Sequence, residues 1–169
     1  MGGDRAPASI VAGAVAAARR LDVRVVLVGP EALVRAEIAS VGGDASLLVT
    51  VADAPEFIAM AESPLAGLRR KRRASIRVAA DLVAHGGADA VFSAGHTGAA
   101  VLAAHAAFGM LDGVERPALA VVVPTPKGAA VLLDAGANVE CRPDHLERFA
   151  RMGSAYATVA LGIERPRVG

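Results

Sequence analysis

The sequence predicts an α/β fold, a mostly parallel sheet covered by helices. Apolar β-branched runs alternate along the chain with Ala-rich helical stretches, the order expected of strands joined by crossover helices. The runs are continuously apolar, which predicts strands with both faces covered. An apolar share of 54% beside a charged share of 21% supplies a core and excludes a disordered chain. The length of 169 residues suits one domain. No repeat, linker or composition shift divides it, so a single α/β domain over residues 1–169 is expected.

The elements follow in order. Helix Ala8–Leu21 leads into strand Val23–Val28, then helix Glu31–Val41 and strand Ser46–Val51. Helix Ala74–His85 stops at His85-Gly86-Gly87, where glycine is free to adopt positive φ. Strand Ala88–Phe92 precedes helix Thr97–Met110, whose alanines predict a buried central helix packed on the sheet or at a dimer seam. Strands Ala118–Val123 and Ala129–Leu133 and helix Pro143–Leu161 complete the series, with Pro64 and Pro117 as further boundaries. Met1-Gly2-Gly3-Asp4 enters a helix with no strand before it, and Pro166-Arg167-Val168-Gly169 resembles the start of one. A truncated part of a longer protein is the expectation.

Several function classes are excluded. A net charge of +1 gives no global attraction to a polyanion. The single cysteine, Cys141, forbids an intramolecular disulfide framework, fits a reducing compartment and reads as a passive thiol. No run approaches ~18 apolar residues and no signal peptide opens the chain, so a soluble cytoplasmic protein is expected. The histidines, His85, His96, His105 and His145, have no metal-ligand spacing. No phosphate-binding P-loop, nucleophile elbow or dinucleotide fingerprint is present, which argues against a nucleoside triphosphatase, a hydrolase and a nicotinamide dehydrogenase.

Three glycine-bearing turns and one charge cluster carry candidate chemistry. Ser93-Ala94-Gly95-His96-Thr97-Gly98 runs from a strand end into a helix, where open α/β sheets bind ligands. Gly95 and Gly98 allow close approach to the backbone, the helix start offers free N–H groups to an anion such as phosphate, and Ser93 and Thr97 add hydroxyls. The alternative is a tight turn with Thr97 as helix cap. Asp134 and Asn138 lie at the next strand end, where Asn138 could donate to a developing oxyanion or to phosphate and Asp134 could orient a basic residue. Equally, both could simply hydrogen-bond the turn backbone, the commoner role for such residues. In Met1-Gly2-Gly3-Asp4, Asp4 caps the following helix or faces the crevice; local sequence favours capping. Arg69-Arg70-Lys71-Arg72-Arg73 is a solvated helix face or a patch for a phosphate or an acidic protein. Near-neutral charge, one tyrosine and no tryptophan weigh against nucleic acid.

Together these segments resemble one family, the PlsX-type phosphate acyltransferases of bacterial phospholipid synthesis. The resemblance rests on Met1-Gly2-Gly3-Asp4 with Ala6-Pro7, Ser93 to Ala99, Arg116-Pro117-Ala118, Pro124-Thr125 with Gly128, and Leu132 to Asn138. It continues through Cys141, Pro143, Leu146, Phe149-Ala150, Met152-Gly153, Tyr156-Ala157 and Pro166 to Gly169, so it runs the length of the chain. Two departures stand out: His96 where the family more often has asparagine, and Arg73-Ala74 in place of an Asp-Ser pair before Ser75.

The resemblance implies a three-layer α/β/α Rossmann-like fold, similar to isopropylmalate dehydrogenases and phosphotransacetylases, and a homodimer. It implies transfer of a fatty acyl group from acyl carrier protein to inorganic phosphate; neither a cofactor nor a metal is expected. The chain then represents about the first half of such an enzyme, with peripheral membrane contact through segments it lacks. Ser93, Gly95, Thr97 and Gly98 are the expected phosphate site, and Asn138, His96 and Asp134 the expected catalytic groups. Arg69 and Lys71 are the expected carrier-protein or phosphate contacts, and Gly2, Gly3 and Asp4 complete the crevice. The competing expectation is a non-catalytic dimerisation or folding fragment of such an enzyme.

Overall fold

The computed structural model describes residues 1–42 and 48–169. The chain divides into two compact units, Met1–Gly109 and Met110–Gly169. The first unit runs α1 (Ala8–Leu21), β1 (Val25–Gly29), α2 (Glu31–Ser40), β2 (Val49–Asp53), α3 (Pro64–Arg70), α4 (Ser75–Ala84) and α5 (Thr97–Phe108). The second holds β3 (Val121–Thr125), β4 (Gly128–Leu132) and α6 (Pro143–Leu161). This is an α/β protein, as the alternation of patterns predicts.

In the first unit β1 and β2 pair in parallel, from Val25 opposite Val49 to Gly29 opposite Asp53. The expected strand from Ser46 begins at Val49; residues 43–47 lie outside the described residues. On α1, Val11, Val15 and Ala18 recur at helical spacing and are buried. They meet Leu27, Val34 and Val49 in one core, where each buried valine contributes roughly 1.5–3 kcal/mol. A left-handed Asp22 ends α1 at φ 52°. Asp53, the last residue of β2, accepts the first amide of α2, Glu31 N–H, at 3.1 Å, so the sheet itself caps that helix.

A second core joins α3, α4 and α5 through Ile58, Leu68, Ala74, Ala80, Ala99 and Ala103. Helix α3 follows Ser63 and has Pro64 in its first turn, where the missing N–H costs nothing. A Cβ on Gly67 would lie 2.9 Å from Ile58 Cδ1, so α3 packs closely on the 57–62 turn at this point. Gly86, at φ 73°, ends α4 as its dipeptide predicts, and Gly87 N–H bonds Leu82 C=O at 2.8 Å. Helix α5 packs on α3 and α4 through Ala99 and Ala103. Thr97, His105, Ala106 and Phe108 are exposed, so the helix is one-sided, not buried all round.

Three strand expectations need correction. Ala88–Phe92 forms no strand, and Phe92 is 88% exposed; no ladder partner reaches it among the described residues, and a strand exists only through its partner's hydrogen bonds. The strands β3 and β4 are antiparallel, with Thr125 opposite Gly128 and Val121 opposite Leu132. Two intervening residues, Pro126-Lys127, make a hairpin, whereas a parallel crossover takes a dozen or more. Nor are both faces covered: every residue of β3 is exposed, as are all of β4 except Val131. Helix α6 packs on β4 and buries His145, Phe149 and Ala157.

Candidate functional site

The amino-terminal turn of the first unit is held by two hydrogen bonds. The Met1 ammonium donates to Val28 C=O at 3.0 Å, and Ser75 Oγ donates to Met1 C=O at 3.2 Å. Burial lowers the pKa of this amino group. The chain then crosses the 93–95 loop, backbone against backbone. A Cβ on Gly2 would stand 2.8 Å from Gly95 Cα, and one on Gly95 would stand 3.1 Å from Gly2 Cα. Gly3, at φ +88°, places its missing Cβ 3.1 Å from Ala94 C=O. At Gly2 a Cβ would collide with backbone, so glycine is required there. The structure thus joins two predicted pieces, Gly2-Gly3 and Ser93–Gly95, in one place.

Beside the crossing lies a small open pocket lined by Met1, Ile58, Ser75, Ser93, Gly95 and His96 among others. Ser93 Oγ accepts Gly95 N–H at 3.2 Å, which leaves its own O–H proton free to donate. His96, not Thr97, is the N-cap residue of α5, and its side chain makes no capping bond. The first hydrogen bond of α5 runs from Ala100 N–H to His96 C=O at 3.0 Å. The amides of Thr97, Gly98 and Ala99 therefore precede the helical ladder, at the positive end of the helix dipole. A Cβ on Gly98 would lie 3.2 Å from Pro64 Cγ and 3.3 Å from His96 Cε1. Asp4 is exposed and does not cap α1, whose N-cap residue is Pro7 without a side-chain bond.

The second unit places Asp134 and Asn138 side by side. Asp134 Oδ1 accepts Leu119 N–H at 2.8 Å and Ala137 N–H at 3.1 Å; Oδ2 accepts Asn138 N–H at 2.7 Å and Asn138 Nδ2 at 3.0 Å. The second Asn138 side-chain hydrogen goes to Pro117 C=O at 2.8 Å. Burial alone would raise the Asp134 pKa; the bonds from Leu119, Asn138 and Ala137 outweigh it and hold the carboxyl below the usual value. This is the turn-bonding role of the two alternatives. Asn138 can donate to an oxyanion only by giving up one of these bonds.

The basic cluster is partly neutralised. Lys71 Nζ donates to Phe57 C=O at 2.8 Å and to Glu62 at 2.6 Å, while Arg70 reaches the other Glu62 oxygen at 3.0 Å. The Lys71 hydrogen bond is the chief reason the Glu62 pKa is lowered. Arg73 pairs with Asp53 at 2.7 Å. Arg69 is exposed in the last turn of α3.

Sequence reasoning missed one polar network in the second unit. Arg142 pairs with Asp144 at 2.9 Å and Glu115 at 3.1 Å, and Arg148 pairs with Glu115 at 2.9 Å. The buried His145 accepts Arg142 N–H on Nδ1 at 3.2 Å, closing the helix start. Hydrogen bonding from Arg142 is the main cause that lowers Asp144 to about 2, and bonding from Arg148 lowers Glu115. Glu115, Asp144 and His145 bring ligand-type atoms within 4.8 Å of one another, but the guanidinium groups compete with a cation for the same oxygens. An Arg-x-x-His start lies outside the usual Ser/Thr/Asp/Asn signature of helix N-termini, so no sequence signal marked it.

No helix among the described residues is long and apolar enough to cross a membrane. A family model described as "Fatty acid synthesis protein" matches residues 1–169. The chain is 48% identical over 169 residues to the phosphate acyltransferase of Desulforamulus reducens, covering 100% of this chain and 50% of the relative. It is 52% identical over 171 residues to that of Nostoc punctiforme, with 100% and 50% covered, and 49% identical over 169 residues to that of Pelotomaculum thermopropionicum, with 100% and 49% covered. The chain thus spans about half the length of the curated relatives it matches. With the glycine crossing and the opening turn of α5 embedded in that full-length match, the chain belongs to the fatty acid synthesis protein family, with phosphate acyltransferases as its curated relatives.

Proposed function

We propose that this chain carries the phosphate-holding part of an enzyme that transfers a fatty acyl group from acyl carrier protein to inorganic phosphate, giving acyl phosphate for phospholipid synthesis. The observation that carries the reading is the start of α5, where three amides outside the helical ladder follow a glycine crossing beside a pocket. Phosphate is held by the Thr97 and Gly98 amides and the Ser93 and Thr97 hydroxyls, with His96 as a further donor at the pocket wall. One phosphate oxygen attacks the thioester carbonyl carbon, and the carbonyl electron pair moves onto oxygen. Collapse of that intermediate breaks the C–S bond and releases the carrier thiolate. A thiol of pKa near ~8.5 leaves without a strong general acid, so placement of the two reactants and fixed donors supply the rate. No cofactor is required. Asp134 and Asn138 act as positioning residues for their turn. A cytoplasmic homodimer, with membrane contact through segments outside this chain, belongs to the same proposal.

The uncovered hairpin β3–β4 favours the second reading, a folding or dimerisation module without chemistry. Incubating the chain with palmitoyl carrier protein and phosphate, with hydroxylamine as trap, separates the two. Phosphate-dependent hydroxamate, reduced on the order of tenfold or more by Thr97→Val, supports the enzyme. Its complete absence with the unsubstituted chain supports the module.

A further inference from the structure

Around α3 the first unit carries a surface that the phosphate pocket does not use. Phe57, Met60 and Leu65 are large apolar side chains that are 47%, 61% and 49% exposed. They are interleaved with the basic run. The Phe57 ring centroid lies 5.9 Å from Lys71 Nζ, and Lys71 also holds the Phe57 carbonyl. Leu65 and Arg69 are one helical turn apart on α3 and share a face. Glu62 engages Arg70 and Lys71, which fixes the 57–62 turn against the end of α3. Arg69 and Arg72 are exposed and have no acidic partner among the described residues. The patch therefore presents uncompensated guanidinium groups around apolar side chains, and Lys71 serves as its internal brace.

The patch adjoins the candidate site. Ile58, next to Phe57, lines the pocket, and Pro64 Cγ at the head of α3 lies 3.2 Å from where a Cβ on Gly98 would stand. We infer that this basic–apolar face, with Arg69 and Arg72 as its charges and Phe57, Met60 and Leu65 as its apolar contacts, is the docking surface for the acidic acyl carrier protein that delivers the thioester. The inference rests on the proposed function and names the surface that the donor meets. Guanidinium groups steer an acidic partner and set its orientation, the apolar side chains supply desolvated contact, and adjacency to the pocket brings the thioester to the phosphate. A nucleic acid finds no exposed aromatic series to stack on here.

The test measures binding of palmitoyl carrier protein to the chain by fluorescence anisotropy, at low and high salt, with the hydroxylamine assay in parallel. Arg69→Glu/Arg72→Glu weakens binding by roughly tenfold at low salt, and the difference shrinks at high salt. Met60→Ala/Leu65→Ala weakens binding severalfold at both salt concentrations. Arg151→Glu, on the exposed side of α6, binds as the unsubstituted chain does. In turnover the arginine pair raises KM for carrier protein and leaves KM for phosphate unchanged. Unchanged carrier affinity in both double variants overturns the docking surface while hydroxamate formation keeps the function. Loss of binding to phosphatidylglycerol vesicles with carrier affinity retained also overturns it and assigns the face to a membrane. If the unsubstituted chain neither binds carrier protein nor forms hydroxamate, the functional reading and the docking surface fail together.

Discussion

The 93–98 loop of the first unit and the 134–138 turn of the second begin from the same kind of sequence, an apolar run followed by a short glycine-bearing polar turn. They end in opposite states. In the second, one carboxylate collects four hydrogen bonds and Asn138 spends both side-chain hydrogens. In the first, Ser93 makes one local bond and the opening amides of α5 stay ahead of the ladder. A saturated turn holds its shape, whereas a turn with unspent donors can hold an anion. The difference lies in whether a carboxylate sits at the centre. Its negative charge consumes the donors and repels phosphate in the second unit; the first loop has no acid.

Breaking the saturated turn has the largest effect. Asp134→Ala leaves the Leu119, Ala137 and Asn138 amides without their acceptor and is expected to destabilise the second unit by about 3 kcal/mol. Urea unfolding followed by circular dichroism measures it. Gly2→Ala drives a Cβ to 2.8 Å from Gly95 Cα, and overpacking of this kind costs about 1–3 kcal/mol; Gly13→Ala, with nothing within 4 Å, is the control that costs none of this. Asn138→Ala removes two donor bonds and is expected to cost about 1–2 kcal/mol, less than Asp134→Ala because the carboxylate keeps its three backbone donors.

The pH dependence sharpens the same contrast. The folded-state pKa of Asp134 is depressed, so its contribution is complete above the unfolded value of about 3.9 and is lost as pH falls through the lower folded pKa. Asp144, lowered to about 2, acts in the same direction. Stability of the second unit therefore falls on acidification below about pH 4, and Asp134→Asn flattens the fall. An acid titration of the urea midpoint for both proteins reads this out.

Much of the fold was legible because helices report themselves locally. The bounds of α1 and α6 match the predicted Ala8–Leu21 and Pro143–Leu161, since proline, glycine and apolar spacing are all short-range signals. The strands were less legible because a strand is defined by a partner elsewhere in the chain. Ala88–Phe92 has the composition of a strand and no ladder, while β3 and β4 have the composition of covered strands and exposed faces. Their antiparallel pairing could have been read from the short connection, which is too brief for a crossover. Helix α3 was missed because it is only 7 residues long, although Ser63-Pro64 is an N-terminal signature. The glycines of the two turns were legible as places of close backbone approach, and Gly2 and Gly95 do meet there. The partners of Asp134, and the engagement of Lys71 by Glu62, depend on long-range packing that no local pattern reveals.

An amide NMR titration of the chain with inorganic phosphate tests the central claim most directly. The account predicts shifts at Gly95, Thr97, Gly98 and Ala99 that saturate together, with Ala137 and Asn138 unmoved. Saturating shifts at Ala137 and Asn138, with the start of α5 unmoved, would contradict it.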